Sequence, residues 1–335
     1  MNNYQSQKEL VLNYYREIDK AVGDEHFKIA DKYISQDYLW RGFHPFNEKH
    51  SSLDLVNDFW IPFKQSMTRT QRRMDIFMAG NNSLDIGGVW VVSMGHLMGL
   101  FDRAWLGIRP TGKMAFLRYC EFNRIENNKI CETAMYFDIP HLMTQVGMNP
   151  FPKQTAAHLI QPGPLNHDGL MFEKQDENET RITLDVINYM VQDIKGWTGG
   201  KEEPLEQELA RSWNDDMIWW GPAGIGATYT IERYAKQHSG PFRDGFDDRV
   251  FNGHICRMSE GSFGGFFGWP NLTLRPTGGF MGMPGSEKSA DMRVIDIYRR
   301  QGDKLTENWI FIDLLHFWKQ LGVDLLARTV SKTVD

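Results

Sequence analysis

The chain has 335 residues, 24% of them charged, and a net charge of −6. That length allows about two domains. The acidic balance excludes a nucleic-acid binder, which needs a basic face. No run of about 18 apolar residues occurs, so no membrane-spanning helix is expected.

Residues 8–22 place Leu10, Val11, Tyr14, Tyr15 and Ile18 at helical spacing. A second helix is predicted over 26–34, leading into a strand at Tyr38, Leu39 and Trp40. A third covers 51–64, with Ser52 as its cap and Leu53, Val56 and Trp60 as one stripe. The basic run 69–73 reads as a solvated helix end. Strands follow at 74–79, 87–97, 114–124 and 130–137, separated by Asn and Pro-Thr-Gly turns. A short helix over 140–146 closes at Gly147. Residues 149–176 hold four prolines and little periodicity, and read as a linker. The order then repeats, with helices at 184–194, 205–213 and 231–238 and strands at 250–258, 263–269, 290–299 and 305–311. A last helix over 314–321 ends at Gly322. Helices followed by a run of antiparallel strands make an α+β pattern, with domains at 1–148 and 177–335.

The two halves also share residues. Glu132, Asp138, His141, Gln145 and Gly147 return as Glu307, Asp313, His316, Gln320 and Gly322, each 175 positions later. Asn13 and Tyr14 match Asn188 and Tyr189 at that offset, and the 37–42 run returns at 216–221. The period is too long for a solenoid and indicates a tandem duplication. Eleven Trp and 21 Phe imply large cores or aromatic-lined cavities. Three cysteines make no disulfide framework and no CxxC pair, which suits a reducing compartment. The first residues lack the basic and apolar regions of a signal peptide, so a cytoplasmic location is expected.

The segments Tyr38-Leu39-Trp40-Arg41-Gly42, His96-x-x-Gly99, 107–113, Phe122-Asn123-Arg124-Ile125 and Gln145-Val146-Gly147 resemble the SnoaL-like polyketide cyclases, within the nuclear transport factor 2-like superfamily. In the second half the resemblance rests on Trp219-Trp220-Gly221-Pro222, 282–285, Ile297-Tyr298-Arg299 and Gln320-Leu321-Gly322. It covers nearly all of both halves except the linker. It implies two tandem cone-shaped domains, each with N-terminal helices packed in a curved antiparallel sheet and a small molecule held at the mouth. It also implies that the two copies form an intramolecular pseudo-dimer; further homo-oligomerisation stays open. Nothing in the pattern calls for a cofactor.

In the cyclases an Asp on the last strand acts as acid/base, three residues before the Asp that precedes the final helix. Those positions are Met135 and Ile310 here, so the key carboxylate is missing from both copies. The family's pocket histidine, on the preceding strand, maps to Glu121 and Asp296. Strand alternation puts Tyr119 on the face of Glu121, and Val294 and Tyr298 on the face of Asp296. A carboxyl in an apolar cone has the raised pKa that a general acid or base needs. An arginine partner, such as Arg118 or Arg293, is the alternative environment. His96 is a further catalytic candidate on a strand read as pocket-facing, and its absence from 261–267 favours the first copy as the active one. Arg41 and His44 stand near the expected mouth. Trp40, Trp60, Trp219 and Trp220 are read as cavity lining or as plain core, and Met135, Ile310, Tyr119 and Tyr298 complete the expected substrate contacts.

Asp138 and Asp313 read as helix caps, Pro140 fitting the first turn. No histidine pair has metal-ligand spacing. Gly221, Gly224 and Gly226 stand in the order GxxGxG rather than the dinucleotide GxGxxG. The expectation is a cofactor-independent acid/base enzyme acting on a small, largely apolar carbonyl compound by cyclisation, isomerisation or elimination. The alternative is a non-catalytic small-molecule-binding or assembly module. Water addition to an epoxide or double bond needs an acid–arginine–acid cluster, which the sequence does not place.

Overall fold

A computed structural model of the chain describes residues 3–84 and 87–331. Contacts divide it into two units. The first runs to 149 and includes 165–174 and the stretch from 326; the second holds 150–164 and 175–325. The expected linker is therefore shared between the units, with Phe77 bridged to Leu170 in the first and Ala157 to Ala227 in the second.

The first unit opens with α1 (Gln5–Ile18) and α2 (Glu25–Tyr33), then β1 (Ile34–Gly42) and β2 (Asn47–Lys49). A continuous helical stretch follows: α3 (Ser52–Leu55), a π-helical turn (Val56–Trp60) and α4 (Ile61–Ser66). The strands β3 (Met67–Asn81), β4 (Val89–Phe101), β5 (Met114–Glu126) and β6 (Lys129–Phe137) complete the sheet, and α5 (Ile139–Gln145) closes the unit. The sheet order is β2-β1-β6-β5-β4-β3, with β1 parallel to β6.

The second unit repeats this plan. It contains α6 (Glu177–Gly196), α7 (Leu205–Ala210), β7 (Trp213–Trp220), β8 (Ala227–Tyr229), α8 (Ile231–Tyr234), a π-helical turn (Ala235–Ser239) and α9 (Gly240–Asp244). Then come β9 (Phe246–Phe251), β10 (Cys256–Glu260), β11 (Phe263–Pro276), β12 (Ala290–Gln301), β13 (Lys304–Ile312) and α10 (Leu314–Gln320). The order β10-β11-β12-β13-β7-β8 again has one parallel pair, β13 with β7, and β9 also pairs with β11. Among the described residues no helix is long and apolar enough to cross a membrane.

Local chemistry explains these elements. Helix α1 buries Val11, Tyr14, Tyr15 and Ile18, one stripe of an amphipathic helix. The cap of α3 is Ser51 rather than Ser52: its hydroxyl accepts from the Asp54 N–H at 3.1 Å. Asp138 and Asp313 cap α5 and α10, accepting from the N–H of His141 (3.0 Å) and of His316 (3.2 Å). The duplicated glutamines pin those helices back onto the sheets. Gln145 bonds the N–H and C=O of Phe116 at 2.8 and 2.7 Å, and Gln320 does the same to Asp291 at 3.1 and 2.9 Å.

Three expectations change. The run 69–73 is strand, not a helix end; alternate side chains of β3 are exposed and partly buried, which is period-two behaviour. Residues 250–258 split into β9 and β10, broken at Gly253, whose φ of 97° ends the strand. The 205–213 helix stops at Ala210, and Trp213 begins β7.

Candidate functional site

Glu121 and Asp296 occupy matching strand positions and meet different surroundings. In the first unit, β5 turns Tyr119, Glu121 and Asn123 to one face, opposite Gly95, Ser93 and Val91 of β4. The Ser93 and Tyr119 hydroxyls bond across it at 2.8 Å. Arg72, from the basic run on β3, enters the same interior. Its guanidinium donates to Glu121 at 3.1 Å and to both Asp19 oxygens at 2.9 and 3.2 Å, and lies 3.9 Å from the Tyr15 ring centroid. Burial raises the Glu121 carboxyl above its usual range, and the Arg72 charge offsets part of that rise. This is an acid–guanidinium–acid cluster, with Glu121 and Arg72 buried and Asp19 partly exposed. Sequence reasoning missed Asp19 and Arg72; alternation through 67–73 was the available signal for Arg72.

Aromatic rings occupy the rest of that interior. Trp40 contacts Phe46 at 5.6 Å between centroids, Phe59 stacks on Phe137 at 4.7 Å, and Phe63 meets Trp105 at 5.4 Å. Trp40, Trp60, Tyr119 and Met135 are all essentially without exposure. His96 is corrected. It opposes Arg118, one residue out of phase with the Gly95–Tyr119 pair, and so lies on the other face of β4 from Glu121. There its Nδ1 is 3.5 Å from Asp75 and its ring meets Phe116. Arg41 pairs with Glu132 and with Glu48, and His44 is buried in the turn after β1. Arg118 and Arg293 bind the capping aspartates Asp138 and Asp313, not the strand carboxyls.

In the second unit, β12 turns Val294, Asp296 and Tyr298 into a cavity of about 180 Å³ whose lining includes Trp219 and Ile310. Asn308 Nδ2 donates to Asp296 at 3.0 Å, and the Tyr298 hydroxyl also hydrogen-bonds it. No cation pairs with Asp296 among the described residues. Burial pushes its pKa up to about 7, the two hydrogen bonds opposing. Trp220 alternates to the opposite side of β7 from Trp219 and is not part of this lining.

Two histidines that sequence reasoning left unassigned also line the cavity. His238 stacks on Trp219 with 3.9 Å between centroids. Burial lowers its pKa to about 3, so it is neutral at pH 7, and its buried Nδ1 has no hydrogen-bond partner. His254 stacks on Phe266 at 3.9 Å, and Arg257 donates to its Nδ1 at 2.9 Å. Since arginine only donates, the His254 proton sits on Nε2.

Side-chain exchange explains why this interior is open. Arg72 opposes Leu97, which opposes Leu117; Phe251 opposes Leu272, which opposes Met292. Leu117 and Met292 are 175 apart, so Phe251 stands where Arg72 does. The π turns align Phe59 with His238 and Trp60 with Ser239, with Pro62 and Pro241 just beyond. Trp60 to Ser239, Tyr119 to Val294 and Phe137 to Ile312 are all losses of volume, and Ser239, Val294 and Ile312 line the cavity.

Residues 271–321 match the model of the SnoaL-like polyketide cyclase family. That match spans β11 to α10 of the second unit and makes this stretch similar to the SnoaL-like family. Solved structures similar to it include a SnoaL-like protein of Jannaschia sp. CCS1, with 17% identity, 42% of this chain and 91% of that one covered, and a TM-score of 0.34. AclR of Streptomyces galilaeus has 18% identity, coverage of 43% and 83%, and a TM-score of 0.35. A nuclear transport factor 2-like protein of Burkholderia xenovorans has 11% identity, coverage of 42% and 97%, and a TM-score of 0.34. No curated protein matches the chain.

Proposed function

We propose that the second unit is an acid/base site for a small, largely apolar carbonyl compound, working without a cofactor, with Asp296 as the base. The observation that carries this is a buried carboxyl with no ion-pair partner among the described residues, in a cavity lined mainly by apolar and aromatic side chains, with Lys195, Arg243 and Arg249 also in the lining; burial pushes that carboxyl up to about 7. A base poised near the working pH is ionised often enough to act and still basic enough to take a proton. Asp296 removes a proton from the carbon beside the carbonyl. Returning it elsewhere isomerises the compound, loss of a leaving group eliminates, and attack of the enolate carbon cyclises. Asn308 and Tyr298 hold the carboxyl in place. The cavity is slightly larger than one of about 150 Å³ that takes a benzene, so a mono- or bicyclic ligand fits. Glu121, already paired with Arg72, is left out of the chemistry.

The test is α-proton exchange of 2-tetralone in D2O, followed by NMR. Wild type accelerates exchange. Asp296→Asn lowers the rate by roughly 10² to 10⁴-fold, and Glu121→Gln leaves most of it. Equal rates for wild type and Asp296→Asn overturn the assignment. The second reading, a binding module without turnover, is favoured by Met135 and Ile310 standing where the cyclases carry their Asp. It is supported instead if 2-tetralone quenches Trp219 fluorescence with no exchange in wild type.

A further inference from the structure

Asp296 accounts for the proton but not for the carbonyl oxygen, on which charge builds as the proton leaves. We propose that Asn271 binds that oxygen through its side-chain N–H, which makes the ligand's recognised group a carbonyl or oxyanion held inside the second unit. This rests on the acid/base reading only for the purpose of the contact; the binding itself stands on separate observations.

The first is a bulge. In the first unit the β4–β5 ladder runs without a break from Val89 opposite Ile125 to Leu100 opposite Met114. In the second, the β11–β12 ladder shifts register between Gly268, opposite Val294, and Leu272, opposite Met292. Gly95 and Leu97 hold the matching places opposite Tyr119 and Leu117. One residue, His96, is thus replaced by three: Trp269, Pro270 and Asn271. Bulges bend a strand and re-aim a side chain. His96 points away from its unit's interior, and Trp269 lies against Arg293 at 3.6 Å, whereas Asn271 lines the cavity.

The second is the state of the amide. Asn271 is 3% exposed. Its Oδ1 accepts from the Val294 N–H at 2.7 Å, which fixes which end is oxygen, since a backbone N–H needs an acceptor. The Nδ2 at the other end is buried with no hydrogen-bond partner among the described residues. A buried donor left unsatisfied costs about 1–3 kcal/mol, a cost that a ligand oxygen removes. The third is the seat. A Cβ on Gly268 would stand 2.5 Å from Asn271 Cγ, so the glycine leaves room for the amide. Asn271 thus brings an anchored amide with an unmet donor into the same lining as Asp296, and in the proposed complex a hydrocarbon of the same shape leaves that donor unmet.

The experiment compares binding of 2-tetralone with binding of tetralin, the same skeleton without oxygen, by Trp fluorescence. Wild type prefers the ketone by roughly 10- to 100-fold. Asn271→Asp keeps an acceptor for the Val294 N–H but puts an oxygen in place of the donor, and it abolishes the preference while tetralin affinity stays within a few-fold. In wild type, the Asn271 side-chain N–H resonance moves downfield with 2-tetralone and not with tetralin, a readout that needs no variant. Retained preference in Asn271→Asp, no preference in wild type, or an unmoved resonance each overturns the proposal. A preference that depends on Asn271 without any α-proton exchange keeps Asn271 as the oxygen-binding group and sinks only the catalytic reading.

Discussion

The two interiors are built on one backbone plan and put to opposite uses. Each has a carboxyl at the same strand position. In the first, the Arg72 guanidinium pairs with Glu121 and lies against the Tyr15, Trp60 and Tyr119 rings. In the second, Phe251 replaces the arginine, Ser239 replaces a tryptophan, and Asp296 is left uncharged or unpaired beside a cavity. What separates a structural acid from a reactive one is thus the set of side chains that other elements send toward it, not its own place on the strand.

Breaking the filled interior has the largest expected effect. Arg72→Ala leaves Glu121 buried beside a lost charge and Asp19 half-buried without its partner, and destabilises by about 3–5 kcal/mol in urea unfolding. Replacing Glu121 with Gln alongside recovers part of that loss. No recovery would mean that the guanidinium acts through ring packing alone.

Asp296 carries the next effect, in the opposite sense. Its folded pKa of about 7 lies above the unfolded value, so its contribution is fully present below about pH 4 and is lost as the pH rises through 7. Asp296→Asn removes this dependence, and at pH 8 it gains up to roughly 4 kcal/mol over wild type. Parallel stability curves for the two proteins from pH 4 to 8 contradict an unpaired buried acid.

Converting the second interior toward the first sharpens the comparison further. Ser239→Trp fills the cavity and removes 2-tetralone binding, at a stability cost of about 1–3 kcal/mol from overpacking. The smallest change expected is from Gln320→Ala or Gln145→Ala. Each unpins a closing helix from its sheet and costs about 1 kcal/mol by thermal unfolding. Unequal costs would show that the duplicated glutamines do not play duplicated roles.

Much of this was legible in the residues. The 175-residue offset marked the pins and caps, and strand alternation set Val294, Asp296 and Tyr298 on one face. The pairing of Glu121 with Arg72 in the first interior was not legible. Trp40, Trp60, Tyr119 and Met135 have the same pattern whether they line a void or pack a core, because the volume of facing side chains decides. His96 failed for a different reason. Its counterpart is the three-residue bulge rather than any residue of 261–267, and a one-residue change of phase puts a strand side chain on the other face. His238 was visible only through the second offset, 179, that links Trp40 with Trp219 and Pro62 with Pro241.

The central claim is that Asp296, unlike Glu121, is a buried acid without an ion-pair partner among the described residues. It is tested most directly by a carbon-13 NMR titration of the aspartate side-chain carboxyls, with the Asp296 signal identified by its loss in Asp296→Asn. The account predicts a midpoint near pH 7 for that signal. A midpoint near 4, the ordinary aspartate range, would contradict it.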